Sequence, residues 1–298
     1  MKWWPFGNED RAKPEPAVQP APPAQRTPSI EEVLGDRLAE VQALARPRIR
    51  LVPSTKAGTA PAGRTKLGGL PDLPEGMEWP TLKGNPLAFV AQIDLEALSG
   101  STGTQALPED GLLLFFYDVE LQYGFVDYGR IGYWQVVHAT GPVSPRNVPS
   151  AQHEPLTYYE VKLSPVCDVQ LPNPESLENR ISIDKELLDE YYDAWYGQPG
   201  PAPQHQMLGF PQPIQNDPFE ECQVEANALN VAGRKGVLDP AWPSLQEGVK
   251  DWRLLLQVDS DEDAGMMWGD VGMLYFCIRE RDLEMARFDK VWMIFQCS

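Results

Sequence analysis

The stretch that decides the fold is LLLQVDSDEDAGMMWGDVGMLYFCI, residues 254–278. Its first run, Leu254-Leu255-Leu256-Gln257-Val258, is short, apolar and of strand length, and residues 272–278 form a second such run. Between them stand Asp259, Asp261, Glu262, Asp263 and Asp270, with no Lys or Arg from Gln257 to Phe276. The pattern predicts two core strands joined by an acidic loop. Upstream, LAFVAQIDL (87–95) and GLLLFFYD (111–118) repeat the design. In each copy the first strand closes on Gln-x-Asp, with Gln92 and Asp94 in one and Gln257 and Asp259 in the other. Leu67-Gly68-Gly69-Leu70-Pro71 and Leu208-Gly209-Phe210-Pro211 precede the two copies in the same order. Three matches in one order point to an internal duplication, with half-repeats over residues 64–165 and 204–298.

Outward from these pairs, residues 1–28 hold seven prolines and read as a flexible tail, with Trp3, Trp4 and Phe6 its oddity. Ser29 and Glu32 have capping-box spacing and open a helix over 30–45. Ile30, Val33, Leu34, Leu38, Val41 and Leu44 share one face of it. Residues 48–52 alternate like a half-exposed strand, and 58–76 read as loop. A second helix over 184–196, within a connector over 182–197, presents Leu187, Leu188, Tyr191, Tyr192 and Trp195. Residues 240–243 read as loop, and 291–295 as a last buried strand. The expected architecture is a single β-rich α+β domain over 29–298, with mixed or antiparallel sheets and a few packed helices.

With 43 acidic against 25 basic residues the net charge is −18, which excludes a nucleic-acid backbone or an anionic membrane as the natural partner. A basic protein surface fits that charge. Four widely spaced cysteines give neither a disulfide framework nor a zinc-ligand pair. They point to a reducing compartment, and the amino terminus lacks the apolar core of a signal peptide. A cytoplasmic location is therefore expected. No apolar run is long enough to span a membrane.

For chemistry, there is no G-x-S-x-G, and His138, His153 and His205 stand apart. Asp259, Asp261, Asp263 and Asp270 fall at positions one, three, five and twelve of an EF-hand-like spacing, which makes them candidate metal ligands, with calcium the ion that the spacing suggests. Ala264 stands where the loop needs Gly, and the flanks are strands, so a solvated acidic turn competes with this reading. No other cofactor is implied. The candidate ligand- or partner-binding residues are Gln92, Asp94, His205, Gln215, Asp217, Gln257, Asp259, Trp268 and Asp270. The two Gln-x-Asp pairs either face one cleft or pin loops to the core by hydrogen bonds.

Leu67-Gly-Gly-Leu-Pro71, Phe89-Val-Ala-Gln-Ile-Asp-Leu95 and Gly111-Leu-Leu-Leu-Phe-Phe-Tyr117 carry a resemblance. So do His205-Gln-Met-Leu-Gly-Phe-Pro211 with Ile214, Gln215 and Asp217, residues 254–278, and Arg287-Phe-Asp-Lys-Val291. Over residues 30–298 the chain resembles the YwqG-like proteins, a bacterial family without an established molecular function. The resemblance implies a compact β-rich domain and an association, by gene neighbourhood, with toxin–immunity loci. It implies no catalytic residues. The expected function is a binding module, immunity-like, whose acidic surface occupies a basic partner. The alternative is a metal-assisted hydrolase using the carboxylates of residues 259–270.

Overall fold

In the computed structural model, which describes residues 27–54, 59–119, 132–150, 156–197, 200, 202–227 and 240–298, both expected strand pairs are present. In chain order the strands are β1 (Arg46–Pro53), β2 (Lys66–Leu67), β3 (Asp72–Pro74), β4 (Thr81–Leu82) and β5 (Asn85–Pro86). There follow β6 (Ala88–Asp94), β7 (Leu112–Tyr117), β8 (Trp134–Ala139), β9 (Val143–Pro145) and β10 (Val161–Gln170). The second half adds β11 (Gln206–Leu208), β12 (Trp252–Asp259), β13 (Met273–Arg279) and β14 (Trp292–Gln296). The helices are α1 (Ile30–Leu34), α2 (Leu38–Gln42), α3 (Pro174–Glu178), α4 (Lys185–Tyr196), α5 (Pro218–Ala226), α6 (Trp242–Leu245) and α7 (Glu280–Glu284).

Ten strands form one antiparallel sheet in the order β14-β13-β12-β11-β1-β10-β2-β6-β7-β8. Reading outward from the central β1–β10 pair, each side presents a short strand and then a three-strand meander. Both meanders carry a register shift at matching places, beside Val90 in β6 and beside Leu255 in β12. Gln92 pairs with Lys66 and Leu114, and Gln257 with Gln206 and Tyr275. The two glutamines thus occupy matching positions on matching strands.

The apolar runs are continuous because these strands are covered on both faces. Val90, Ile93, Leu113 and Phe115 meet Leu255, Val258, Leu274 and Phe276 in a shared interior, where the Phe115 and Phe276 rings lie 5.1 Å apart. On the outer face of the first half, Phe89, Leu114 and Phe116 pack with Leu73 and Trp79. On that of the second half, Leu254, Tyr275 and Cys277 pack under Phe219 and Cys222 of α5 and Trp242 of α6. Alternation along each strand therefore switches between two cores rather than between core and water.

The sheet nearly closes on itself. At its two ends Trp134 of β8 donates its indole N–H to the Val291 carbonyl at 2.7 Å, and its ring lies 5.7 Å from that of Trp292. His138 and Phe288 stack edge-on beside them. These side chains bridge the two end strands of the sheet, β8 and β14.

Several expectations are corrected. The helix over 30–45 is capped at Ser29 as expected, but it breaks at Gly35, whose φ of 48° is left-handed, and resumes as α2. These helices pack with α3 and α4 around Leu34, Val41, Leu177 and Tyr191. The supposed loop 58–76 contains β2 and β3, and 240–243 leads into α6 with Pro243 in its first turn. Helix α5 adds to the expected elements, and its signal is the Asp217 cap followed by Pro218 in the first turn. The tail expected over 1–28 lies almost wholly outside the described residues. Among those described, all four cysteines are free and no helix is long and apolar enough to cross a membrane.

The seam is directly testable. Trp134→Phe removes the indole donor and leaves the Val291 carbonyl unpaired in a buried position. The expected cost in urea unfolding is about 1–3 kcal/mol; an unchanged midpoint would show that the closing bond carries no stability.

Candidate functional site

The candidate residues are best built from the two buried glutamines. Gln92 accepts a hydrogen bond from the Asp72 N–H at 2.9 Å and donates to the Arg64 carbonyl at 2.9 Å and to Asp72 Oδ2 at 2.5 Å. Gln257 accepts from the Gln212 N–H at 2.8 Å and donates to the Gln204 carbonyl at 2.7 Å. Each amide thus clamps the residues before and after its neighbouring short strand. The Asp residues two places on continue the parallel. The Asp94 N–H donates to Thr65 Oγ1 at 3.0 Å, and the Asp259 N–H donates to His205 Nδ1 at 3.1 Å. The Asp94 carboxylate accepts from Arg64 Nη1 and from the Ala97 N–H, and that of Asp259 from the Gln204 N–H at 2.8 Å. Burial raises the Asp259 carboxyl, only partly offset by the Gln204 hydrogen bond and the neighbouring His205.

His205 is buried, and Nδ1 accepts a backbone N–H, so the ring proton of the neutral imidazole sits on Nε2. Nε2 lies 3.1 Å from Asp261 Oδ2. Oδ1 of Asp261 accepts from the backbone N–H groups of Asp263 and Ala264. Burial alone would raise this carboxyl, but the hydrogen bonds from His205 and the two backbone donors hold it below the usual carboxylate range. Trp268 is fully buried, donates to the Asp259 carbonyl at 3.2 Å and packs edge-on against Tyr117 and Tyr158. It is a bolt between the halves.

The acidic loop therefore splits into two chemistries. Asp259 and Asp261 turn inward to fixed donors, while Glu262, Asp263 and Asp270 are exposed. The four Asp residues of the EF-hand-like spacing do not converge. Among the described residues no group of three or more His, Cys, Asp or Glu is placed to hold a metal ion. Within the loop an isolated β-bridge pairs Asp261 with Met266, which is a different turn from a cation cage.

The other candidates sit elsewhere. Asp217 caps α5 through the Phe219 N–H at 2.9 Å, and burial pushes its carboxyl up. Gln215 donates to the Cys297 carbonyl at 2.7 Å, pinning the C-terminal segment. Gln92 with Asp94 and Gln257 with Asp259 share no hydrogen-bond partner and lie five strands apart, so they anchor separate loops instead of lining one cleft. Sequence reading missed the partners Thr65, Lys66, Asp72 and Gln212. Lys66 is buried against Glu160 at 3.0 Å and Asp72 at 3.7 Å. No local spacing marks these residues; only strand pairing brings them to the glutamines.

Asp261→Asn is the informative change. The amide cannot accept at every position that the carboxylate does, and its NH2 group opposes the His205 N–H or the backbone donors. Unfolding free energy at neutral pH should fall by about 1–3 kcal/mol. Because the folded carboxyl titrates below its unfolded range, this stabilisation is full above that range and vanishes as pH falls through the folded value. Denaturation of both proteins across acid pH checks this: a difference that does not shrink would show that the charge plays no part.

Residues 65–297 match the family model described as a domain of unknown function, DUF1963. No curated protein matches the chain. The match spans both meanders, both glutamine clamps and the acidic loop. The chain therefore belongs to the DUF1963 family of domains of unknown function.

Proposed function

We propose that the protein is a binding module that presents the acidic loop to a partner with a basic surface. The carrying observation is that Glu262, Asp263 and Asp270 have no counter-charge from the basic residues that follow them. Arg279 donates to Gln223 and stacks 4.6 Å from the Trp252 ring. Arg287 and Lys290 both turn to Asp289, and Arg281 makes no ion pair with the loop. Exposed acids without basic neighbours of their own favour a basic partner. Exposed apolar groups border the acids: Tyr159, whose N–H donates to the Ala264 carbonyl, with Met267 and Val271. Aromatic and Met anchors within a polar rim are the composition of a protein interface.

The narrower reading is an immunity-like role for a YwqG-like protein, in which this surface covers a basic toxin. The resemblance in sequence supports it. The matching strand order, register shifts and glutamine clamps of the two halves support, in the same way, an origin by internal duplication.

The test compares capture from native lysate by the wild type and by Glu262→Gln/Asp263→Asn/Asp270→Asn, three exposed positions whose change spares the fold. A basic protein should be retained by the wild type, released by salt, and lost by the triple variant. Identical captured sets would overturn the proposal. Melting curves in chelator and in millimolar calcium form the second arm: a calcium-dependent rise confined to the wild type would assign the loop to a cation instead.

A further inference from the structure

One cavity plays no part in the acidic-surface reading. It has a volume of about 240 Å³ and lies where the end of β1, the residues before β2, the end of β6 and the middle of β10 meet. Arg64, Lys162, Asp94 and Ser164 supply its polar wall, and Leu163 and Pro165 part of its apolar wall.

The guanidinium is held for use. Asp94 is nearly buried, with a side chain 7% exposed, and it grips Arg64 Nη1 at 2.7 Å, while the Arg64 side chain remains 62% exposed. Nε and the second Nη of Arg64 have no partner among the described residues. The other oxygen of Asp94 is taken by the Ala97 N–H, and its backbone N–H by Thr65. The valence left open at this wall is therefore that of a donor, fixed in direction by a buried carboxylate.

The matching position in the other half shows how such a place is closed. There His205 stands where Thr65 does, its ring accepting the Asp259 N–H, and Asp261 seals the imidazole from the far side. No arginine is present; the Gln204 N–H satisfies Asp259. In the first half the smaller Thr65 leaves room, and Arg64 faces it.

We propose that this cavity binds a small organic monocarboxylate, its carboxylate on the open edge of Arg64 with Lys162 nearby and its short apolar body against Leu163 and Pro165. Planar, two-point recognition of a carboxylate is what a guanidinium does best. The volume falls below the roughly 300 Å³ at which drug-sized pockets begin, so the ligand is small. A dianion is disfavoured by Asp94 in the wall and by the charge of the whole protein.

The experiment is ligand-observed NMR with the full chain, titrating butyrate, its neutral isostere butyramide, and inorganic phosphate. Butyrate should bind, butyramide should not, and phosphate should bind more weakly. Arg64→Gln, whose amide can still donate to Asp94 but lacks the guanidinium fork, should weaken butyrate about ten-fold or more. Amide shifts of Ala97 and Ser164 in the wild type should report the same saturation, which keeps the site testable should the variant misfold. Absent butyrate binding, equal binding of the amide, tighter phosphate binding or an indifferent Arg64→Gln would each overturn the proposal. Because Glu262→Gln/Asp263→Asn/Asp270→Asn does not touch the cavity, failure here and failure of the acidic-surface reading are separable.

Discussion

Strands β6, β7, β12 and β13 are buried on both faces, so the polar groups of the segments beside them must find their hydrogen bonds inside the protein. An unpaired buried donor or acceptor costs on the order of 1–3 kcal/mol, and these segments bring many. Gln92 and Gln257 answer the constraint. Each offers an acceptor to a backbone N–H and a donor to a backbone carbonyl on either side of a short strand. Strands β2 and β11 are only two and three residues long and hold their places between longer partners through these clamps. The interior contact of Phe115 with Phe276 and the seam at Trp134 then have a fixed frame on which to close.

The same constraint explains the division of charge. Carboxylates that turn inward, Asp94, Asp217, Asp259 and Asp261, each meet backbone donors or a buried side chain. They are spent on structure. Carboxylates that the loop cannot turn inward, Glu262, Asp263 and Asp270, are left in water with apolar neighbours at their margin. Burial thus separates acids that shape the protein from acids left in solvent. Arg64 is the converse case, a cation held by a buried acid and aimed outward.

Much of this was legible in the sequence because it is local. The two apolar pairs, the Ser29 capping box and the α4 stripe follow from periodicity and spacing over a few residues. The matched Gln-x-Asp endings were visible, and hydrogen bonding to loops was the reading that the geometry favours. The EF-hand-like spacing, with which a solvated acidic turn competed, is a spacing in sequence only. Four Asp at the right intervals do not converge when the loop is crossed by a β-bridge between Asp261 and Met266 and one carboxylate is claimed by His205. Trp268, a candidate binding residue by sequence, lies in the interior, where Tyr117 and Tyr158 of the other half pack edge-on against it.

By itself the sequence determined the two apolar strand pairs, the acidic balance and the pairing of motifs between the halves. These are properties of composition and short-range order, which a single chain states directly. The tertiary structure alone decided that the sheet closes at Trp134, that two-residue β2 exists, that His205 meets Asp261 across 56 positions, and that Arg64 shares a cavity with Lys162. The physical reason is that a hydrogen bond or an ion pair depends on ångströms between atoms. Only the packing of non-local strands brings residues so far apart in sequence within that range.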